Sequence, residues 1–115
     1  KNRTVNYSFH INKSMKYIHE NLYGQLYLKE ISDYLGINER YFCTIFKKEV
    51  GISPKKYILK NKINTSISLL TNNELSIADI SEMLGFSDPP HFSHTFSKQI
   101  GIPPSSYRKY NLLKK

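Results

Sequence analysis

One segment of this sequence occurs twice, fifty residues apart. When the sequence is shifted by 50 positions, residues 41–57 align with residues 91–107, and seven of the 17 aligned positions are identical. Unrelated segments of ordinary composition would share about one residue over that length. The identical pairs are Phe42/Phe92, Phe46/Phe96, Lys48/Lys98, Gly51/Gly101, Ile52/Ile102, Pro54/Pro104 and Tyr57/Tyr107. A single duplication gives too few copies for a solenoid, so the sequence predicts two related modules joined by a connector.

Each module contains the pattern of a short helix, a turn and a second helix. Apolar residues recur three and four positions apart in residues 28–35 and again in residues 77–84, and a glycine follows each run. Asn38 and Asp88 are suitable N-caps for the second helices, and a further glycine ends each of them. A short helix, a turn with glycine and a second helix of about a dozen residues are typical of a helix-turn-helix unit.

The rest of the chain is also predicted to be helical. Apolar residues from Ile11 to Leu22 have the spacing of an amphipathic helix, and Ser53 and Pro54 are suited to begin a connector helix. From Pro54 to about Thr71, at 1.5 Å per residue, the connector would span about 27 Å, near the spacing of about 34 Å between successive major-groove faces. We therefore expect an all-α fold. Its expected parts are a first helix-turn-helix subdomain at residues 8–52, a connector helix at 53–72 and a second subdomain at 73–110.

The charge of the chain favours an anionic partner. Its net charge is +8, which favours nucleic acid over a membrane surface because no basic amphipathic helix with exposed bulky apolar residues is evident. Residues 29–62 contain eight basic and four acidic residues, whereas residues 63–97 contain four acidic residues and neither Lys nor Arg. The first module should therefore dominate the electrostatic attraction to DNA. The single cysteine and the lack of a long apolar stretch favour a reducing, cytoplasmic setting.

The second helix of the first module has a side that suits DNA. Phe42 and Phe46 mark its core side, together with Ile45. The opposite side carries Arg40, Cys43, Thr44 and Lys47. There, Arg40 is able to donate two hydrogen bonds to guanine, and Thr44 is able to meet a thymine methyl group or a polar base edge. Asn38 and Lys47 suit contacts with phosphate.

The matching side of the second module is polar but almost uncharged. Phe92 and Phe96 mark the core side of its second helix. The outward positions are then Pro90, Ser93, His94 and Ser97. We expect Ser97 to contact phosphate, as Lys47 does at the same position of the first module.

No pattern in the sequence indicates catalysis or a bound cofactor. His91 and His94, three positions apart on a helix, would suit a shared metal ion, but no nearby cluster supplies a third and a fourth ligand. Cys43 has no evident base to activate it. A glycine-rich phosphate loop, paired carboxylates and a nucleophile elbow are not found. We therefore expect neither an enzyme nor a metal or cofactor site.

Two segments of the chain resemble the AraC/XylS family of transcriptional regulators. SIADISEMLGFSDPPHFSHTFSKQIGIPPSSYR, residues 76–108, resembles the signature of the family, and INERYFCTIFKKEVGISPKKYI, residues 37–58, resembles its first helix-turn-helix. The resemblance implies seven helices, with two helix-turn-helix units joined by a long helix. It places the base-reading positions at Arg40, Cys43, Thr44, Pro90, Ser93 and His94.

This sequence departs from the family pattern in the second unit. His94 and Ser97 stand where the family usually has arginine and lysine, and Pro90 and His91 replace a usual serine and tyrosine. Two functions therefore stay open. In the first, a bacterial transcription regulator reads two adjacent major-groove segments of double-stranded DNA. In the second, the first module binds DNA and the second module is mainly a protein-interaction surface.

The resemblance also implies partners beyond DNA. RNA polymerase is one expected partner. Family members often carry a separate sensing, dimerisation or receiver domain, which this sequence does not contain. A sequence that begins at Lys1 is accordingly expected to be a piece of a longer protein.

Overall fold

Helices account for all the regular secondary structure in residues 7–113, the part of the chain that the computed structural model describes. In chain order they are α1 (Phe9–Glu20), α2 (Leu28–Leu35), α3 (Glu39–Val50), α4 (Pro54–Leu69), α5 (Ile77–Met83), α6 (Pro89–Ile100) and α7 (Pro104–Leu113). The predicted all-α class and the seven helices are confirmed within this range.

The chain folds into two units. Within the described residues, the first unit comprises residues 7–21 together with Leu26–Ile58, and the second comprises Leu22–Gln25 together with residues 59–113. The chain thus passes from the first unit to the second within α4. We call Leu22–Gln25 the strap: it links α1 to α2, yet it is part of the second unit.

Helices α1, α2 and α3 form the first unit with the start of α4. Its buried apolar residues are Ile11, Ile18, Ile31, Leu35, Phe42, Phe46 and Ile58. The sequence pattern extended α1 to Leu22, which was wrong. The helix ends at Glu20 because Asn21 leaves helical geometry, and the Asn21 side-chain amide donates to the carbonyl of Tyr17 at 2.8 Å.

The second unit has its own core, formed by helices α4 to α7. Its buried apolar residues are Ile63, Leu70, Ile80, Leu84, Phe86, Phe92 and Phe96. Arg108 of α7 caps the C-terminal end of α4. Its guanidinium donates to the carbonyls of Leu70, Asn72 and Leu75 at 3.0, 3.1 and 2.7 Å. These carbonyls follow the last turn of α4, where helical hydrogen bonds are no longer available to them.

The caps expected from the sequence are present. The Asn38 side chain accepts a hydrogen bond from the Tyr41 backbone at 3.1 Å, and the Asp88 side chain accepts one from the His91 backbone at 2.8 Å. Gly36 has a φ of 72°, which places it in the left-handed region, as is usual after a helix. Each module therefore has the short helix, glycine turn and longer helix that the repeat predicted.

The two modules turn from their longer helix into the next helix in the same way. Val50–Lys56 form the α3–α4 corner and Ile100–Ser106 form the α6–α7 corner. The glycines that end α3 and α6 have φ values of 99° and 102°. Three residues after each glycine, a buried proline begins the next helix. The rings of Phe46 and Tyr57 lie 5.3 Å apart, and those of Phe96 and Tyr107 lie 5.8 Å apart.

Within the second unit, hydrogen bonds join the strap to α4 and α5. The backbone N–H of Gly24 donates to the carbonyl of Met83 at 2.8 Å. The ammonium group of Lys62, on α4, donates to the carbonyls of Leu22 and Gly24. Lys62 is only 5% exposed, and its burial lowers the pKa of the ammonium group to about 8.

Gly85 allows the close approach of the strap. It has a φ of 77°, and a Cβ atom at this position would lie 2.1 Å from the carbonyl oxygen of Gly24. This distance is far below van der Waals contact, so no other residue fits without a shift of the backbone. The glycine therefore both ends the turn after α5 and makes room for the strap.

Candidate nucleic-acid interface

Helix α3 presents a polar, basic side to solvent. Phe42 and Phe46 are fully buried and their rings lie 5.7 Å apart, edge to face. The residues predicted to face DNA lie on the other side of the helix, as the helical repeat requires. Arg40, Thr44 and Lys47 are exposed there, and Cys43 is half-buried. The structure thus brings the four predicted residues of α3 together on one side of the first unit.

Two of these side chains are partly used by the helix itself. The Thr44 hydroxyl donates to the carbonyl of Arg40 at 3.0 Å, so Thr44 offers an acceptor oxygen and a methyl group. Asn38 uses its side-chain oxygen as the N-cap of α3. Its amide N–H groups are the donors that Asn38 has left for a phosphate, and this contact stays a prediction.

Cys43 lies beside these residues as a neutral thiol. Burial raises the pKa of the Cys43 thiol, and the negative charge of Glu39 raises it further. At neutral pH the thiol is therefore protonated. Because the thiolate is the nucleophilic form, this surrounding opposes catalysis and leaves Cys43 as a weak hydrogen-bond donor with a polarisable sulfur.

Helix α6 presents the matching side of the second unit without a cation. Phe92 and Phe96 are fully buried. Of the predicted residues, Pro90 and His94 are exposed and Ser93 and Ser97 are half-buried. These four residues share a surface, as the sequence predicted.

The two histidines of α6 differ in their surroundings. His91 Nδ1 lies 3.2 Å from Ser87 Oγ, and the His91 ring packs edge-on against Phe86 at 5.2 Å. His94 makes no hydrogen bond to any residue of the described range. Both ring nitrogens of His94 are therefore available to a partner, whereas His91 has only Nε2 to offer.

The described range offers neither a metal cluster nor a membrane span. Within residues 7–113, no three His, Cys, Asp or Glu side chains are grouped so that they would hold a metal ion. None of the helices in the same residues is long and apolar enough to cross a membrane.

Lys62 is the residue that the sequence pattern misplaced. Its charge belongs to the basic stretch 29–62 from which attraction to DNA is predicted, but its ammonium group is buried against the strap. A signal for this was present. Ile58, Lys62, Ser66 and Leu70 follow one another at intervals of four and all are buried, so this lysine lies in a buried stripe of α4. A lysine at such a position is expected to find hydrogen-bond acceptors inside the fold.

Comparisons with known proteins agree with this geometry. A family model described as a helix-turn-helix domain matches residues 31–110. The Msm operon regulatory protein of Streptococcus mutans serotype c is 38% identical over 100 residues, which are 87% of this chain and 36% of that protein. The chain thus spans about a third of the length of this curated relative.

Two solved structures share the fold. An AraC-type transcriptional regulator from Chromobacterium violaceum is 30% identical, with a TM-score of 0.79 over 87% of this chain and 89% of that one. The DNA-binding domain of AdpA, solved in complex with a target DNA, has a TM-score of 0.86 over 94% of this chain and 97% of that one. At 19% identity, the second likeness shows the fold alone.

The family match covers well over half of the chain and includes both helix-turn-helix units. The relatives are regulators of transcription rather than enzymes, as the sequence predicted. The resemblance first drawn from residues 37–58 and 76–108 is thereby confirmed: the chain belongs to the AraC-type family of helix-turn-helix, DNA-binding transcription regulators.

Proposed function

We propose that this chain binds double-stranded DNA sequence-specifically, with α3 and α6 each reading a segment of the major groove, and so regulates transcription. The observation that carries the proposal is the side of α3 opposite Phe42 and Phe46. There, Arg40, Thr44 and Lys47 are exposed together. A helix of this kind fits the major groove, and the side chains at its N-terminal end then meet the base edges.

In this proposal the side chains divide into two roles. The base-reading residues are Arg40, Cys43, Thr44, Pro90, Ser93 and His94. Asn38, Lys47 and Ser97 contact phosphates and fix the position of the protein on the duplex. The subdomains at residues 8–52 and 73–110 each carry one reading helix, and the connector at 53–72 joins them.

A second candidate function assigns DNA binding to the first module alone. It is favoured by the absence of Lys and Arg from residues 63–97, which include four acidic residues. The α6 surface would then serve mainly to bind a protein. RNA polymerase is the partner that we propose for either arrangement, together with a sensing, dimerisation or receiver domain in the whole, cytoplasmic protein.

Selection of binding sites from random duplex DNA, followed by footprinting on the selected site, tests the proposal. Two reading helices should protect about two helical turns, and one helix about half of that. Failure to enrich any sequence would refute sequence-specific binding. A footprint of about one turn would instead support the second candidate function.

A further inference from the structure

The α3–α4 corner carries lysines that the base-reading surface does not use. Lys48 lies in the last turn of α3, beside Lys47, and Lys55 and Lys56 lie in the first turn of α4. All four side chains are exposed. We call Lys48, Lys55 and Lys56 the lysine corner.

No carboxylate neutralises the lysine corner in the described part of the chain. The one acidic residue between its members is Glu49, whose side chain accepts a hydrogen bond from the Ser8 backbone at 2.9 Å. Within residues 7–113, the ion pairs of lysine join Lys16 to Glu20 and Lys29 to Asp33. Among the described residues, the three positive charges of the corner therefore have no ion-pair partner.

The internal repeat shows that the fold does not require the charges of Lys55 and Lys56. Lys55 and Lys56 align with Ser105 and Ser106 of the α6–α7 corner, and both serines are exposed. The two corners nevertheless have the same glycine conformation, the same buried proline and the same phenylalanine–tyrosine contact. Lys55 and Lys56 are thus particular to the first unit and contribute little to its folding, whereas Lys48 has a counterpart in Lys98.

We propose that the lysine corner binds phosphates of the DNA backbone beside the segment that α3 reads. This inference rests on the proposed function, because it requires the first unit to dock on duplex DNA. A reading helix contacts bases through its N-terminal residues, and in homeodomains, a variant of the helix-turn-helix, the C-terminal end of the reading helix contacts the backbone. We expect the same of the C-terminal end of α3. Duplex DNA carries one negative charge per about 1.7 Å of its axis, so exposed, unpaired ammonium groups at that end displace condensed counterions.

Binding of Lys55→Ser/Lys56→Ser to the selected duplex at several salt concentrations tests the proposal. Since the α6–α7 corner is built with serines, this variant should fold. The expected result is a salt dependence shallower by about two ions, and an equal fold-loss of affinity on selected and random duplexes. Hydroxyl-radical footprinting should lose protection at one flank of the site and keep it in the centre.

The control is Lys13→Ser/Lys16→Ser, which removes two positive charges that are already engaged on α1. Lys16 pairs with Glu20 at 3.8 Å, and the ammonium group of Lys13 lies 4.8 Å from the centre of the Tyr34 ring. The control variant should change the salt dependence by less than half an ion. The proposal is overturned if the corner variant keeps the wild-type salt dependence, or if the control lowers it equally. Should the serine pair lose helicity, Lys55→Gln/Lys56→Gln removes the charges and keeps the side-chain length. Absence of duplex binding by the wild type would refute the proposed function itself.

Discussion

At the residue scale, Arg40 and Lys47 share one side of α3 but should contribute differently to binding. Arg40→Ala is expected to cost about 1 to 3 kcal/mol on the selected site and less on random DNA, because a bidentate contact to one base is lost. Lys47→Ala is the comparison: it should weaken all duplexes similarly and reduce the salt dependence by about one ion. Binding isotherms on both kinds of duplex measure these effects. If Arg40→Ala loses the same binding free energy on selected and random duplexes, Arg40 contacts a phosphate rather than a base.

His94 is the residue whose protonation should respond to DNA. A protonated imidazole has two donors and a positive charge, so a polyanion favours it over the neutral ring. By linkage, affinity should rise as the pH falls through the range of about 5 to 8, in which histidine side chains change charge. Measurement of affinity on one fixed site across this range checks the expectation.

The control for His94 comes from its own helix. His94→Gln should flatten most of the pH dependence and leave the protein folded, whereas His91→Gln should keep most of it because His91 is already engaged with Ser87 and Phe86. If His94→Gln retained the wild-type pH profile, reading by α6 would rest on Pro90 and Ser93 alone.

At the scale of elements, the turns after α2 and α5 offer a matched pair of glycines. Gly36→Ala places a Cβ in open space at a φ of 72°, so it should cost about 1 to 2 kcal/mol through backbone strain alone. Gly85→Ala has the same strain at 77° and also meets the Gly24 carbonyl at 2.1 Å. It should cost about 1 to 3 kcal/mol more, because the strap must move. Urea denaturation of the two variants measures this difference in the free energy of unfolding. Equal losses would mean that the strap moves aside at no cost in stability.

The burial of Lys62 should make the stability of the fold depend on pH in the alkaline range. The pKa of Lys62 is about 8 in the folded chain, against an ordinary value of 10.5. Between these values the unfolded chain binds more protons, so the free energy of unfolding should rise with pH, by at most about 3 kcal/mol. Lys62→Met should lack this rise. Urea denaturation at several pH values from about 7.5 to 10 gives the free energy of unfolding of both proteins. If this free energy changes with pH equally in the wild type and in Lys62→Met, Lys62 is not the source of the rise.

The sequence was informative about elements that local chemistry determines. Asn38 and Asp88 cap helices through their own side chains, and Gly36 and Gly51 end helices through their own backbone. The position of the strap could not be predicted in this way. It depends on Lys62, some 40 residues from the carbonyl of Leu22, and pairings so distant leave no periodic pattern.

At the scale of the whole molecule, the repeat allows one module to be tested with the residues of the other. Ser105→Lys/Ser106→Lys gives the α6–α7 corner the two lysines of the α3–α4 corner. If both modules dock on DNA alike, the salt dependence of binding should become steeper by about two ions. The test is a salt titration on the selected duplex beside the wild type. An unchanged slope would favour the second candidate function, in which α6 meets a protein.

The strap means that the second unit is not a continuous piece of sequence. Its residues before α4 lie between two helices of the first unit, and Lys62 and Gly85 are shaped to receive them. An exchange of the second reading helix between related regulators should therefore carry the tetrapeptide 22–25 along with residues 59–113. A chimaera joined by a single crossover within α4 would take its strap from one regulator and Lys62, whose ammonium group binds the strap, from the other.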